Sequence, residues 1–333
     1  MSEQLQIQDK NGILAIPVLS IVIVDSDSRD LTLDCLASIH RHHPKDPFEI
    51  ILVDNCSESP CLVEAKQLYP RICTFSAPCR QGFAKNYNLG IRKAVGDYIL
   101  ILNNDTVIHP GALDFLLTAI HQDSSFRMVG PRLVDSLGRI QSVCARSLLT
   151  PCSYILSQLL LDKTLPVGRI WERWQSWRIN RRLSGLVPCI SGACMLVSRQ
   201  LLETIGLFDE GYEFYFEDVE WCHRLKKNGY KVGYVAEALI THLGDQSLSK
   251  NREWAKKSEY LSALRYFKQY YSLTYLQANL FWAIMILNFS LRWLAFWLIR
   301  FATGKTGQLS AYRHLIPWII QNPPSRTYYN HPA

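Results

Sequence analysis

No two of the ten cysteines stand at Cys-x-x-Cys spacing, so neither a zinc ribbon nor a thioredoxin-type redox pair is written into the chain. Several cysteines sit inside apolar runs, as buried thiols do in a reducing cytosol, and nothing marks a disulfide framework. The first residues carry Glu3, Asp9 and Lys10 and no apolar stretch, so a secretory signal is not expected. Internal repeats and low-complexity tracts are missing too, which argues against a solenoid. What is present is ordinary globular material. The chain has 333 residues, 48% of them apolar, enough for one large domain or one domain with an appendage. With 36 basic against 29 acidic residues, the formal net charge is +7. That suits a phosphate-bearing ligand or an anionic membrane surface and does not single out nucleic acid.

Residues 1–17 read as a polar tail ending at Pro17. Leu19–Val24 is then a continuous apolar run, stopped by Asp25-Ser26-Asp27-Ser28. Phe48–Val53 is a second run, ending at Asp54-Asn55. A short third strand is expected at Ile72–Phe75, and Ile99–Leu102 runs into Asn103-Asn104-Asp105. Helical patterns separate them, with Leu33, Leu36 and Ile39 on one face, then Leu62–Leu68, then Leu89, Ile91 and Ala94. Short apolar runs alternating with helices mean βαβ units and a parallel sheet. Asp25, Asp54 and Asp105 then lie on one sheet edge, where open α/β sheets bind ligands. Each aspartate taken alone is a turn residue. Together they point to a nucleotide and to Mg²⁺ or Mn²⁺, because Asp105 offers a hard oxygen ligand.

After Pro110, expected as the first helical position, Leu113, Leu116, Leu117 and Ile120 form an apolar face. Met128–Leu133 is another strand. Between 140 and 188, Arg169, Arg173, Arg178, Arg181 and Arg182 interleave with Trp171, Trp174 and Trp177. This insert is either an acceptor- or membrane-contacting segment or a packed helix with a basic solvated face. Cys189–Val197 is extended, with a small-residue kink at Ser191-Gly192. A helix is expected from Asp218, with Val219, Cys222 and Leu225 on one face and Gly229 at its C-cap. Asp218 is there either an N-cap or a general base. Lys231–Val235 is a further strand, and His242 follows soon after; it is either a surface or core histidine or, if near Asp105, a partner in a mixed nitrogen and oxygen site.

Assembled in order, these pieces resemble glycosyltransferase family 2 and its rhamnosyltransferase-like branch. The resemblance covers about 18–247 and rests on Ser20-Ile-Val-Ile-Val24, Ile51-Leu-Val-Asp54-Asn55, Gly82-Phe-Ala84 with Asn88-x-Gly90, and Leu102-Asn-Asn-Asp105-Thr106. It continues through Ser191-Gly-Ala193 with Met195-Leu-Val197, Phe208-Asp-Glu210, Glu217-Asp218-Val219 and His242-x-Gly244-x-x-Ser247. It implies an α/β GT-A fold, a Rossmann-like sheet that binds a nucleotide-diphosphosugar, and inverting transfer to a hydroxyl of a polysaccharide or lipid-linked glycan. By position, Asp54 matches the residue holding the nucleoside, Asp105 the metal and diphosphate ligand, Asp218 the catalytic base, and His242 a histidine near the diphosphate and metal. Asp25, Asn55, Gly82, Asn88, Asn103 and Asn104 complete the expected donor contacts. The departures are Asp25-Ser26-Asp27 in place of an Asn-aromatic turn, Asn103 in place of Asp, and Arg80 where Asn is common. The rival of another class is a GT-A-like binding or scaffold protein without turnover. A sugar nucleotidyltransferase is disfavoured because 19–30 contains no glycine.

Residues 248–333 are expected to form a helical extension. From Asn279 to Ile299, 17 of 21 residues are apolar, about 30 Å of helix. Both flanks are basic, with Lys256, Lys257, Arg265 and Lys268 before and Arg300, Lys305 and Arg313 after. The positive-inside rule therefore fixes no orientation. The expectation is a helix lying in the interface at the cytoplasmic face of the membrane, with a span or a dimer interface as the alternatives.

Overall fold

A computed structural model describes residues 7–8, 14–122, 125–160, 179–244, 252–303 and 309–324. Glu3, Asp9, Lys10, Arg169, Trp171, Arg173, Trp174, Trp177, Arg178, Ser247 and Lys305 lie outside the described residues. The chain divides into two compact units. The first comprises Met1–Leu148, Gln175–Glu213 and Glu217–Ser247. The second comprises Leu149–Trp174, Phe214–Phe216 and Leu248–Ala333.

Two short strands, β1 (Ile7–Gln8) and β2 (Leu14–Ala15), pair antiparallel within the segment expected to be a tail. The first unit is then built on the apolar runs. β3 (Leu19–Asp25), β4 (Phe48–Asp54), β5 (Cys73–Ser76) and β6 (Tyr98–Asn103) are parallel, in the order β5-β4-β3-β6. Ile21, Val22, Ile23, Leu52 and Ile99–Leu102 are almost wholly buried, which is why these strands read as unbroken apolar runs rather than alternating ones. Each such side chain contributes about 1.5–3 kcal/mol by leaving water. Helices α1 (Arg29–Arg41), α2 (Leu62–Leu68), α3 (Phe83–Ile91) and α4 (Ala112–Gln122) make the crossovers. Beyond β6 come β7 (Thr106–Ile108) and β8 (Phe126–Val134), and after the short β9 (Ala145–Arg146) helix α5 spans Pro151–Leu160.

Continuing along the chain, the strands are β10 (Gly185–Val187), β11 (Cys189–Ile190), β12 (Cys194–Ser198) and β13 (Lys231–His242). The sheet continues from β6 through β12, β8 and β13 to β10, and β7 pairs with β13. β12 runs antiparallel to both β6 and β8, so the sheet is mixed rather than wholly parallel. The kink at Ser191-Gly192 separates β11 from β12, as the small residues suggest. α6 (Arg199–Ile205) and α7 (Glu217–Lys227) complete this unit.

Pro110 is not the first helical residue. Gly111, at φ +74°, follows it, and α4 begins at Ala112. α7 begins one residue before Asp218, which removes Asp218 from the N-cap position.

The second unit contains α5, α8 (Arg252–Tyr271), α9 (Tyr275–Thr303) and α10 (Leu309–Gln321). Its core is aromatic: Tyr154, Phe216, Phe267 and Phe281 pack with centroids 5.5–5.9 Å apart. Trp282 Nε1 donates to the Ile319 carbonyl at 2.9 Å and fixes α9 on α10.

Candidate functional site

The strand register brings the three acidic tips to one edge. Asp25 is level with Asp54, and Val24 with Asn103. β12 adds Gly192 and Ala193 to the same edge, since Asn103 N–H donates to the Ala193 carbonyl at 2.9 Å. β13 adds His242 opposite Thr106, and Leu243 N–H donates to the Asp105 carbonyl at 2.9 Å.

Asp105 and His242 face each other. His242 Nε2 is 3.4 Å from Asp105 Oδ1, and that oxygen is buried with no hydrogen-bond partner among the described residues. A buried carboxylate oxygen is costly to leave unpaired. One oxygen and one imidazole nitrogen, both turned to the sheet edge, are a donor set suited to a divalent ion of the Mn²⁺ or Mg²⁺ class. Among the described residues no cluster of three or more His, Cys, Asp or Glu side chains gathers as a metal site. An ion held here would complete its shell with ligand oxygens and water.

Asp218 lies at the same edge, in the first turn of α7. Its Oδ2 accepts from Gly192 N–H at 3.1 Å and from Arg146 Nη2 at 2.9 Å, and Oδ1 accepts from Val219 N–H at 2.7 Å. An ionised carboxylate offers about four acceptor positions. Three are taken, and the remaining capacity is open to one hydroxyl proton. Burial works against charge on Arg146, but Asp218 and the neighbouring thiols outweigh it and hold the guanidinium firmly protonated.

Other expected contacts turn inward and brace the edge. Asp25 is fully buried. It accepts from Ser28 N–H, Thr32 Oγ1 and Asn104 Nδ2 at 3.0–3.4 Å. Asn104 also donates to Thr32 at 2.8 Å. Asp25 and the Asn104 amide nitrogen are thus engaged with each other and with Thr32 at this edge. Asn88 holds Phe208 through its carbonyl and its N–H, and reaches Glu210 at 3.0 Å. It is a strut between α3 and the 208–210 loop. Gly82 lets two backbones meet, for a Cβ there would stand 2.1 Å from the Glu213 carbonyl oxygen. Asn55 clasps the next loop, donating to the Gln81 carbonyl and accepting its N–H. Asp54 uses Oδ1 for Ser57 N–H at 3.2 Å. Asn103 Oδ1 lies 3.2 Å from the Tyr87 hydroxyl. Arg80 is paired with Asp27 at 2.6 Å across the first tip.

The family model described as glycosyl transferase family 2 matches residues 20–206. The chain belongs to that family. The glycosyltransferase is 28% identical over 214 residues to an N-acetylglucosaminyl-diphospho-decaprenol L-rhamnosyltransferase of Mycobacterium tuberculosis, covering 59% of this chain and 66% of that one. It is 27% identical over 256 residues to the rhamnosyltransferase WbbL of Escherichia coli K12, covering 72% and 90%. Its fold is GT-A. It aligns with a mannosyltransferase of Pyrobaculum calidifontis, solved with GDP-Man and Mn²⁺, at a TM-score of 0.55 and 13% identity, covering 95% of this chain and 88% of that one.

Three residues of the glycosyltransferase's edge were not legible as site residues. Arg146 is 72 positions from Asp218 and Gln141 is 101 from His242, and no local pattern announces either pairing. Glu217 was visible only as part of a motif. Its Oε2 is buried with no hydrogen-bond partner among the described residues. Burial, and then the Asp218 carboxylate, push it up to about 8 from an ordinary 4.5. A carboxyl raised in the folded state holds its proton more tightly there than in the unfolded chain. Its contribution to stability is complete below about 4.5 and is lost as pH rises through about 8. Glu217→Gln is therefore expected to gain thermal stability over wild type progressively across that window, read from melting curves at stepped pH. An unchanging difference across the window would contradict the buried, protonated Glu217.

Proposed function

We propose that the glycosyltransferase moves a sugar from a nucleotide-diphosphosugar to a hydroxyl of a polysaccharide or lipid-linked glycan, with inversion at the anomeric carbon. The observation that carries the reading is the meeting of the Asp105–His242 pair and the Asp218 carboxylate at one sheet edge. The rhamnosyltransferase relatives, one acting on a decaprenol-linked diphosphate by its name, support the acceptor class. Rhamnose is the leading sugar for the same reason.

In this reading Asp54 sits beside the nucleoside, with Asn55, Gly82 and Asn88 shaping the loops around it. Asp105 and His242 would hold a divalent ion, as the Mn²⁺ in the archaeal neighbour supports, and when bound it neutralises charge on the departing diphosphate. Asp218 takes the acceptor hydroxyl's proton as that oxygen bonds to the anomeric carbon. The bond from the anomeric carbon to the diphosphate oxygen breaks, and its electron pair leaves with the nucleoside diphosphate. Gly192 N–H and Arg146 hold the base in place. No side chain forms a covalent intermediate. The test is a panel of nucleotide-sugars with a lipid-diphosphate acceptor, read as nucleoside diphosphate release. One donor should be turned over, and release from none of them would overturn the proposal.

We place the donor chemistry in residues 18–247 and membrane attachment in 248–333. Within the second unit, Ala278, Phe281, Met285 and Phe289 of α9 are buried. Leu280, Leu287, Leu291, Leu294, Leu298 and Phe301 are exposed, and their three-, four- and seven-residue spacing puts them on one face. By length and composition this helix is able to cross a membrane. Arg292, the charge within the Tyr275–Leu298 stretch, turns to the Gln158 carbonyl at 2.6 Å and to Asn288 at 3.2 Å, leaving that face apolar. A helix packed on one side and apolar on the other suits the inner-face interface. The protein is expected to stay with membranes through high-salt washing and to come off in carbonate. Retention in carbonate would indicate a span, and full solubility without detergent would rule out both.

A further inference from the structure

His242 has two ring nitrogens, and its neighbours decide which one carries the proton. Gln141 Nε2 lies 2.8 Å from the His242 backbone carbonyl. A carbonyl only accepts, so the amide nitrogen must be the group facing it. The amide oxygen, Oε1, is then the atom 2.9 Å from His242 Nδ1. That oxygen also only accepts, so Nδ1 must bear the hydrogen. In the neutral ring the lone pair is left on Nε2, the nitrogen 3.4 Å from Asp105 Oδ1, which has no hydrogen-bond partner among the described residues. Two lone-pair atoms at that separation do not bond to each other. They converge on the place a cation would take.

Gln141 is itself held in position. A tight hairpin turns the chain back at the end of β8, with Asp135 Oδ1 accepting from Leu137 N–H and Arg139 N–H at 2.9 Å each. Gln141 N–H donates to the Leu133 carbonyl at 2.9 Å. β8 runs alongside β13, with Val134 level with Thr241. The hairpin therefore delivers Gln141 beside His242, where one side chain grips both the backbone and the ring of that residue.

We propose that Gln141 is a positioning residue that locks His242 in the Nδ1–H tautomer, so that Nε2 and Asp105 Oδ1 are presented together to a divalent cation. Outer partners of metal-ligating histidines fix tautomer and ring orientation in this way. The inference rests on reading Asp105 and His242 as the metal pair, and it goes beyond that reading by naming what prepares the pair before any ion arrives.

Two measurements test it on the full chain. The first is long-range ¹H–¹⁵N NMR of the histidine rings, metal-free, at a pH where the ring is neutral, with His242 assigned by substitution. Wild type should show the proton on Nδ1. Gln141→Leu should move it to Nε2, and Gln141→Glu, which keeps an acceptor at Nδ1, should leave it in place. The second is Mn²⁺ affinity by electron paramagnetic resonance in the presence of UDP, GDP or dTDP in turn. Gln141→Leu should weaken it roughly 10–100-fold, while nucleotide binding without metal stays as in wild type. A wild-type ring protonated on Nε2, or a Gln141→Leu variant that binds Mn²⁺ as wild type does, overturns the inference and leaves the donor site standing. Absence of metal-dependent nucleotide binding in the wild type overturns both.

Discussion

Asp218→Asn is expected to lower kcat by roughly 10²–10⁴-fold, the range for removing a general base. Asparagine keeps the shape but only one acceptor oxygen; set in the place of Oδ2 it still accepts from Gly192 N–H and Arg146, while Val219 N–H then faces the amide nitrogen and loses its acceptor. It cannot take a proton. The charge of Arg146, whose side chain is only 24% exposed, loses its counter-ion but keeps a hydrogen bond to the amide oxygen. Stability should fall by about 1–3 kcal/mol as a result, too little to unfold a domain of this size. Donor affinity should change little, because the nucleotide is assigned to Asp54 and Asp105. Steady-state rates at saturating donor, beside melting curves, separate the two effects. A variant with wild-type kcat would remove Asp218 from the chemistry.

Asp105→Ala is expected to abolish the metal dependence of nucleotide binding while leaving the fold intact. Among the described residues Asp105 Oδ1 makes no hydrogen bond, and the strand tip is held by main-chain bonds that alanine keeps. Removing a buried, unpaired carboxylate oxygen should leave the melting temperature level or raised. Calorimetry with nucleoside diphosphate, with and without Mn²⁺, reads the change. The loss should exceed the roughly 10–100-fold typical of an outer partner. An Mn²⁺ effect surviving in the variant would return Asp105 to the role of a turn residue.

The parallel half of the fold was legible because its strands are buried on both faces. Leu19–Val24, Phe48–Val53 and Ile99–Leu102 are continuous apolar runs, and their polar stops mark the ends that the register then aligns. The edge carrying Asp54 and Asp105 followed from that alone. β12 was harder, since an apolar segment does not state its direction, and antiparallel pairing appears only with the neighbours in place. The direction in which a side chain turns was also hidden. Asp25 and Asp54 look alike in sequence, yet Asp25 is consumed by Thr32 and Asn104. Asp218 was legible as either a cap or a base because its partners, Gly192 and Arg146, come from elsewhere in the chain. The pairing of Gln141 with His242 depends on a hairpin meeting the end of a distant strand, and no local propensity carries that information.

The anomeric configuration of the product separates a single displacement from a double one. With wild-type protein, Mn²⁺ and the donor selected from the panel, the anomeric proton of the glycoside formed can be read by ¹H NMR, since a glycoside does not mutarotate. A single displacement with Asp218 as base and no covalent intermediate predicts a product of configuration opposite to the donor, formed only while metal is present. A product retaining the donor's configuration, or one formed equally well in chelator, would contradict the account.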